Sequence, residues 1–191
     1  MRRSLLAIPG LVLVVLISSC ATGVASQHLA TEQDVLAVVV AFWRNERAAG
    51  ELRLEAQTSP HHSSPAVRDE IRGHWAMAPE PANRFSLGSD TVASFQQAQS
   101  QEAPLALGAI SVQGVKITPF TTAEGPAIAP FNPNGPLTLR LSRPGINPEG
   151  TEALVFAEEF CGELCGGGFY VVLEQHEGHW RIRHFILAYV S

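Results

Sequence analysis

The sequence predicts an α+β protein, a single antiparallel sheet that ends in a C-terminal β-meander and packs against one main N-terminal helix plus short helices. Three observations carry this prediction. Residues 32–48 repeat apolar side chains at helical spacing, several later segments alternate polar and apolar residues, and residues 169–190 form two strand-like runs around a tight turn. Antiparallel strands joined by short loops, with a helix against one face, are typical of α+β folds.

Length and composition are those of one loop-rich globular domain. The chain has 191 residues, of which 46% are hydrophobic, so a substantial core is possible. It also has 16 glycines and 13 prolines. The net charge is -5, and no basic cluster follows residue 3. This balance argues against a nucleic-acid partner, which would require several Lys or Arg side chains placed against phosphates.

The first twenty residues resemble a bacterial lipoprotein signal. Two arginines precede an apolar run over residues 4–17, which is shorter than the roughly 20 residues a membrane-spanning helix needs. The run closes on Ile17-Ser18-Ser19-Cys20, which resembles a lipobox. That resemblance implies cleavage before Cys20 and its acylation, including palmitate, so that the protein is held on a membrane without spanning it. An ordinary secretory signal with an unrelated cysteine is the alternative.

This signal sets the expected domain organisation and location. Residues 1–19 are the expected signal peptide, 20–30 a flexible tether and 31–191 a single α+β domain. The membrane is the expected partner through the N-terminal lipid. Ala21 rather than Asp follows Cys20, which favours the periplasmic side of the outer membrane if the cell is Gram-negative.

The main helix is predicted over residues 32–48. Thr31 to Asp34 resembles a capping box, and Gly50 is the expected C-cap. The apolar stripe consists of Val35, Leu36, Val39, Val40 and Trp43. Because several of these residues are β-branched, packing rather than intrinsic propensity must stabilise this helix.

Shorter elements follow in order. Two short helices are predicted, one from Ser64-Pro65 and one that Ser89 caps and that extends to about Ser100. A long Pro/Gly/Asn loop is predicted over 121–136. Loops of this length are uncommon inside compact domains and are often either functional or mobile. Strands are predicted over 51–56, 107–112, 114–120, 137–141, 151–160, 169–174 and 180–190. In the last of them Trp180, Ile182, Ile186, Ala188 and Val190 are expected on one side, which His184 interrupts.

The segment Cys161 to Gly168 is the most distinctive local feature. Cys161 and Cys165 form an even pair once Cys20 carries lipid, and an oxidising compartment favours a disulfide. A three-residue loop at a hairpin end can bring two Cα atoms within about 7 Å. A thiol redox pair or a pair of metal ligands are the alternatives, although redox pairs favour C-x-x-C at a helix N-terminus. The three glycines after Cys165 are expected to supply positive φ and close backbone approach in the turn.

Residues 137–191 also carry a series of short motifs that resembles a known group of sequences. The series consists of Leu141-Ser142-Arg143-x-Gly145-x-Asn147, Ala153-Leu154-Val155, Cys-Gly-x-Leu-Cys-Gly-x-Gly-x-Tyr from Cys161, Leu173-Glu174, Gly178-x-Trp180 and Tyr189-Val190-Ser191. It resembles uncharacterised bacterial extracytoplasmic proteins that end in the same way. The resemblance implies a secreted or envelope location and a sheet-terminated single domain, and it implies no activity. The Gly-x-Trp strand is also similar to the sheets of NTF2-like and cystatin-like domains, at the level of fold alone.

No arrangement of residues in the sequence predicts a reaction, a metal or a cofactor. Glu158 and Glu159 are neighbours on a strand and therefore face opposite ways, so they cannot act as a catalytic pair. The sequence contains no G-x-S-x-G and no H-E-x-x-H motif. It favours a non-enzymatic binding or structural module. The alternatives are an enzyme with a helix–sheet pocket that contains His184, or a thiol redox module at Cys161 and Cys165.

Overall fold

One open, mixed sheet organises the described part of the chain. The computed structural model describes residues 32–48, 50–55, 87–100, 105, 107, 110–118, 135–162 and 165–190. Within these ranges two helices and seven strands form an α+β fold, as predicted. Thr31, the short helix predicted from Ser64-Pro65, and all but the last two residues of the loop predicted over 121–136 lie outside the described residues.

The main helix, α1, is α-helical over residues 32–42 and ends in a π-helical turn, Trp43–Arg47. Ala48 closes that turn by donating its N–H to the Trp43 carbonyl at 2.9 Å, and its extended backbone leads out of the helix. The C-cap is therefore Ala48 and not the predicted Gly50. The predicted apolar stripe is buried as expected, in the residues Val35, Leu36, Val39, Val40 and Trp43.

The seven strands are only partly antiparallel. Their bounds are β1 Leu52–Glu55, β2 Val115–Thr118, β3 Leu137–Leu141, β4 Gly145–Ile146, β5 Glu152–Gly162, β6 Cys165–His176 and β7 His179–Val190. The order in the sheet is β2-β1-β3-β5-β6-β7, with β4 also paired to β5. β1 pairs in parallel with both β2 and β3, so the predicted antiparallel-only sheet is wrong there. Alternation reveals that β1 is a strand, but the direction of its partners depends on long connections that alternation does not describe.

The segment predicted as a strand over 107–112 has no strand in its described residues. Leu107 and Ile110 are instead buried in the core, and local turns satisfy their backbone: Leu107 N–H donates to the Leu105 carbonyl and Ile110 N–H to that of Leu107. Only Val115–Thr118 of the strand predicted over 114–120 is a strand in the described residues. A turn whose apolar residues are buried in the core has the same composition as a short buried strand. This similarity explains the wrong prediction.

The second helix, α2, spans Ser89–Gln99 and confirms the prediction for that region, although Gly88 and not Ser89 is its N-cap. Gly88 has no side chain to cap the helix, but the carboxylate of Glu152 in β5 lies beside this helix end. Its Oε1 accepts hydrogen bonds from Gly88 N–H at 2.9 Å and from Thr91 Oγ1 at 2.6 Å. A carboxylate is stabilising at a helix N-terminus because the helix dipole is positive there.

Each face of the sheet has its own apolar cluster. The α1 face is filled by the buried side of α1 and by alternate residues of the strands, among them Leu54, Leu139, Val155, Val171 and Trp180. On the opposite face α2 covers part of the sheet, and its Phe95 packs with Leu154, Phe156, Tyr170, Val172 and Ile186. The strands β5 and β6 therefore have buried residues on both faces of the sheet.

Two β-bulges in β7 change which residues share a face. The register shifts between the partners Gly168 and Phe169 and again between Val172 and Leu173. Trp180 and Ile182 consequently face α1, whereas Ile186 and Ala188 lie against the opposite cluster. The predicted single face of β7 is therefore wrong, because each bulge adds one residue and reverses the alternation.

The three glycines after Cys165 lie in β6 and not in a turn. Positive φ occurs at Gly162 (126°) and, in the predicted β6–β7 turn, at Glu177 (51°) and Gly178 (81°), but not at the three glycines. Close approach does occur at Gly168, but in a strand and to side chains, because a Cβ there would overlap the rings of Tyr189 and Phe156.

Candidate functional site

A row of charged side chains crosses the sheet face opposite α1. The strand register aligns Glu55 of β1 with Arg140 of β3, Arg140 with Glu158 of β5, and Glu158 with Gly168 of β6, which is paired with Tyr189 of β7. Paired residues project from the same face of a sheet. Five strands therefore place these residues side by side.

Arg140 lies between two carboxylates in this row. Its Nη2 is 2.8 Å from Glu55 Oε2, and its Nη1 is 3.8 Å from Glu158 Oε2. The guanidinium also lies 5.3 Å from the centre of the Phe160 ring. Glu158 is only 5% exposed, so its charge requires such partners. The positive charge of Arg140 therefore lies between the negative charges of Glu55 and Glu158.

Tyr189 completes the row by reaching across Gly168. Its hydroxyl donates a hydrogen bond to Glu158 Oε1 at 2.8 Å. Gly168 leaves the space that the Tyr189 ring occupies. Burial, followed by the hydrogen bond and the negative charge of Glu158, raises the pKa of Tyr189 above its ordinary value of 10.0, against a smaller opposing effect of Arg140.

This shift predicts a loss of stability in alkaline solution. Above pH about 10 the unfolded chain loses the Tyr189 proton that the folded chain retains, so stability present below that pH falls as the pH rises. We expect Tyr189→Phe to show a shallower alkaline decline in the free energy of unfolding than the wild type, measured by urea unfolding between pH 8 and 11. An equally steep decline in both proteins would contradict the assignment.

A second network lies on the α1 face, around Glu159. Trp43 Nε1–H donates to Glu159 Oε2 at 2.8 Å, and Arg47 Nε donates to the same oxygen at 3.2 Å. The Arg47 guanidinium also lies 5.5 Å from the centre of the Phe169 ring. Glu158 and Glu159 therefore face opposite sides of the sheet, as predicted, and each is held by its own partners.

An open cavity of about 460 Å³ lies where the end of α1, the segment before β1 and the start of β2 meet. It is lined by Arg44, Gly50, Glu51, Gly114, Val115 and Lys116. The Arg44 guanidinium packs directly over Gly114, since a Cβ there would lie within 3 Å of its Nε. Gly114 also has a positive φ of 80°, which favours glycine.

Arg44 differs from the other described arginines in its partners. Its only described hydrogen bond runs from Nη1 to the Ala48 carbonyl at 3.4 Å, and its buried Nε has no partner. The other six arginines in the described residues each form an ion pair with a glutamate: Arg47, Arg53, Arg140, Arg143, Arg181 and Arg183. The Arg44 charge is thus left to face the cavity.

The structure joins Cys161 and Cys165 in a disulfide, with Cα atoms 5.2 Å apart. The bond closes the β5–β6 hairpin, where Gly162 pairs with Cys165. Cys161 packs against the core on the α1 face. A loop this short contributes only about 2 kcal/mol in the chain-entropy model, so the bond mainly shapes the hairpin. Cys20 lies outside the described residues.

His184 is not positioned between α1 and the sheet. It pairs with Val172, a member of the cluster on the opposite face, because the bulge in β7 moves it there. The α1 face at this level is filled by Phe42, Trp43 and Phe185, whose rings contact one another. Partial burial, and then the charge of Arg183, lower the pKa of His184, which favours its neutral form.

Sequence patterns assign no role to Arg44, Lys116 or Arg140, and Tyr189 stands out only as part of the closing motif Tyr189-Val190-Ser191. The alternation of Leu137–Leu141 does place Arg140 on the face away from the core leucines. The alignment of Arg140 with Glu55 and Glu158 depends on strand register. The site at Arg44 depends on the packing of a turn against the end of a helix. Local sequence patterns reveal neither the register nor this packing.

The comparisons with known proteins provide no relative. No protein-family model matches the chain, and no curated protein and no solved structure matches it either. Among the described side chains, no group of three or more His, Cys, Asp or Glu is placed to hold a metal ion. Neither described helix has the length and apolar composition that crossing a bilayer requires.

Proposed function

We propose that this protein is a lipid-anchored protein of the bacterial envelope whose folded domain acts as a non-enzymatic binding module. The observation that carries the binding role is the distribution of charge. The buried carboxylates Glu32, Glu158 and Glu159 are engaged by arginines within the fold, whereas the Arg44 guanidinium is directed to an open cavity. Carboxylates that are paired with arginines inside the fold are not available to transfer protons to a substrate, whereas a cation at an open cavity can hold a ligand.

The alternatives have less support in the geometry. An enzyme with a helix–sheet pocket would need space beside His184, and His184 lies on the face away from α1. A redox module would favour an accessible cysteine at a helix N-terminus, whereas Cys161 packs against the core at the end of a hairpin. The motif Ile17-Ser18-Ser19-Cys20 supports the anchoring half of the proposal.

Metabolic labelling with palmitate in a bacterial host tests the anchor. We expect the wild type and Cys161→Ala to incorporate label and Cys20→Ala to lose it completely. The Cys161→Ala control removes a cysteine without touching the expected acylation site. Label that persists in Cys20→Ala would overturn the anchoring proposal.

Thermal unfolding of the full chain in detergent tests the binding role. The ligand panel contains small phosphates, carboxylates, amines, saccharides and short peptides. We expect at least one class to raise the midpoint and to be recovered chemically unchanged. Conversion of that ligand, or no shift with any class, would overturn the proposal of a non-enzymatic binder.

A further inference from the structure

We propose that the cavity at the end of α1 binds a phosphate monoester as its dianion, between Arg44 and Lys116. This inference rests on the binding function proposed above and specifies the chemical class of its ligand. Four observations support it: the unused donors of Arg44, the second cation at Lys116, the engaged state of Glu51, and the size and lining of the cavity.

The Arg44 guanidinium is positioned but not satisfied. Packing over Gly114 fixes its place, and its Nε is buried without a hydrogen-bond partner. Its contact with the Ala48 carbonyl, at 3.4 Å, is longer than a normal N–H···O bond. Because Nε is closed off from solvent, the donors available to an incoming anion are those of Nη1 and Nη2. Guanidinium groups present a planar fork that matches phosphate oxygens.

Lys116 brings a second positive charge to the same cavity. It is the single lysine in the chain, and it lies exposed on the edge strand β2. Within the described residues it forms no ion pair. Lysine binds phosphate as a compact charge without a fixed fork, so it complements an arginine that fixes orientation.

Glu51, the one acid in the lining, is already occupied. Its Oε1 accepts from Arg53 Nε at 2.7 Å, and that hydrogen bond holds the pKa of Glu51 below its usual range. The pair Glu51–Arg53 is therefore neutral overall. The remaining charge of the cavity is that of Arg44 and Lys116, in a chain whose net charge is -5.

Charge and size select the ligand class. A phosphate monoester carries about -1.5 to -2 at pH 7, which matches two cations, whereas a single carboxylate matches one. A volume of about 460 Å³ falls within the range of small-molecule sites and leaves space beyond the phosphate. Val115 and the backbone of Gly50 and Gly114 would border the organic part of the ligand.

The test of binding is to titrate the full chain, in detergent and at low ionic strength, with glycerol 3-phosphate and to measure its affinity. We expect Lys116→Gln and Arg44→Gln each to bind about tenfold more weakly, as for loss of one charge contact at a partly exposed site. Arg181→Gln removes an exposed arginine of β7, which is paired with Glu174 of β6, and this variant is expected to bind as the wild type does. Glu51→Gln is expected to bind more tightly.

The single lysine provides a second readout that does not depend on variants folding. An amine-selective acylating reagent, read at the peptide that contains Lys116 by mass spectrometry, reports directly on that side chain. We expect glycerol 3-phosphate to slow this acylation several-fold in the wild type and not in Arg44→Gln. Equal acylation rates with and without the ligand would overturn the site.

Two further ligands, compared with glycerol 3-phosphate, test whether the phosphate comes from a lipid or a soluble ester and whether a phosphate is required at all. Tighter binding of a short-chain phosphatidic acid than of glycerol 3-phosphate would assign the group to a lipid, and the reverse order to a soluble ester. Succinate that binds as tightly as glycerol 3-phosphate would overturn the phosphate assignment. If phosphates fail while another class in the thermal panel stabilises the chain, this inference fails and the binding function stands; if every class fails, both fall.

Discussion

Replacing Trp43 with alanine is expected to lower the free energy of unfolding by about 3–5 kcal/mol, the range for deleting a large buried aromatic side chain. Trp43 is 1% exposed and contacts the rings of Phe42, Phe169 and Phe185 at centroid distances of 5.5, 5.9 and 5.7 Å. It also donates the hydrogen bond to Glu159. The substitution therefore opens a cavity and removes a partner from a buried carboxylate.

Trp43→Phe separates these two effects. It retains an aromatic ring and loses the N–H, while Arg47 still contacts Glu159. We expect this variant to lose about 1–3 kcal/mol, the cost of a buried acceptor deprived of one donor. Urea unfolding followed by far-ultraviolet circular dichroism measures both variants. A loss below about 1 kcal/mol for Trp43→Ala would contradict the central packing role of this residue.

Gly145→Ala is expected to cost about 3 kcal/mol or more, at the upper end of overpacking effects. A Cβ at this position of β4 would overlap the backbone N and Cα of Phe95 in α2, well inside the 3.0 Å that real Cβ atoms keep. Backbone atoms cannot rotate away as a side chain can. The substitution would therefore push α2 away from the sheet and disturb the cluster around Phe95.

Gly150→Ala is the matched control for Gly145→Ala. A Cβ at Gly150 meets nothing within 4 Å, but the residue has a φ of +69°. Its expected cost is about 1 kcal/mol, which arises from backbone conformation alone. Both variants are compared by urea unfolding. A loss for Gly145→Ala no greater than that for Gly150→Ala would show that the α2–β4 contact is not rigid.

Most of the elements in the described residues could be predicted from local pattern. The spacing from Val35 to Trp43 indicated α1, and alternation indicated the strands from Leu137 onward. The disulfide between Cys161 and Cys165 was also predicted, because the hairpin geometry allows it. Errors occurred where the signal was composition without period, as over residues 107–112.

The functional surfaces were less accessible to prediction. Arg140 and Glu158 are separated in sequence and meet only because β3 and β5 pair in one particular register. Strict alternation from Trp180 predicts the wrong face for His184, because the β-bulge between Ile182 and His184 has no signature in the sequence. Arg44 gave no signal at all, since a charged residue in the last turn of a helix is ordinary.

Local sequence patterns are sufficient to predict the α+β class, the buried stripe of α1, the long final strands and the cysteine pair. These features depend on periodicity and on neighbours a few residues apart, which a single chain segment contains. Four features become visible only in the folded chain: the parallel pairing of β1, the face on which each residue of β7 lies, the row from Glu55 to Tyr189, and the cavity at Arg44. These features depend on register and on the approach of distant segments, and long-range packing selects them among arrangements that local preferences leave equivalent.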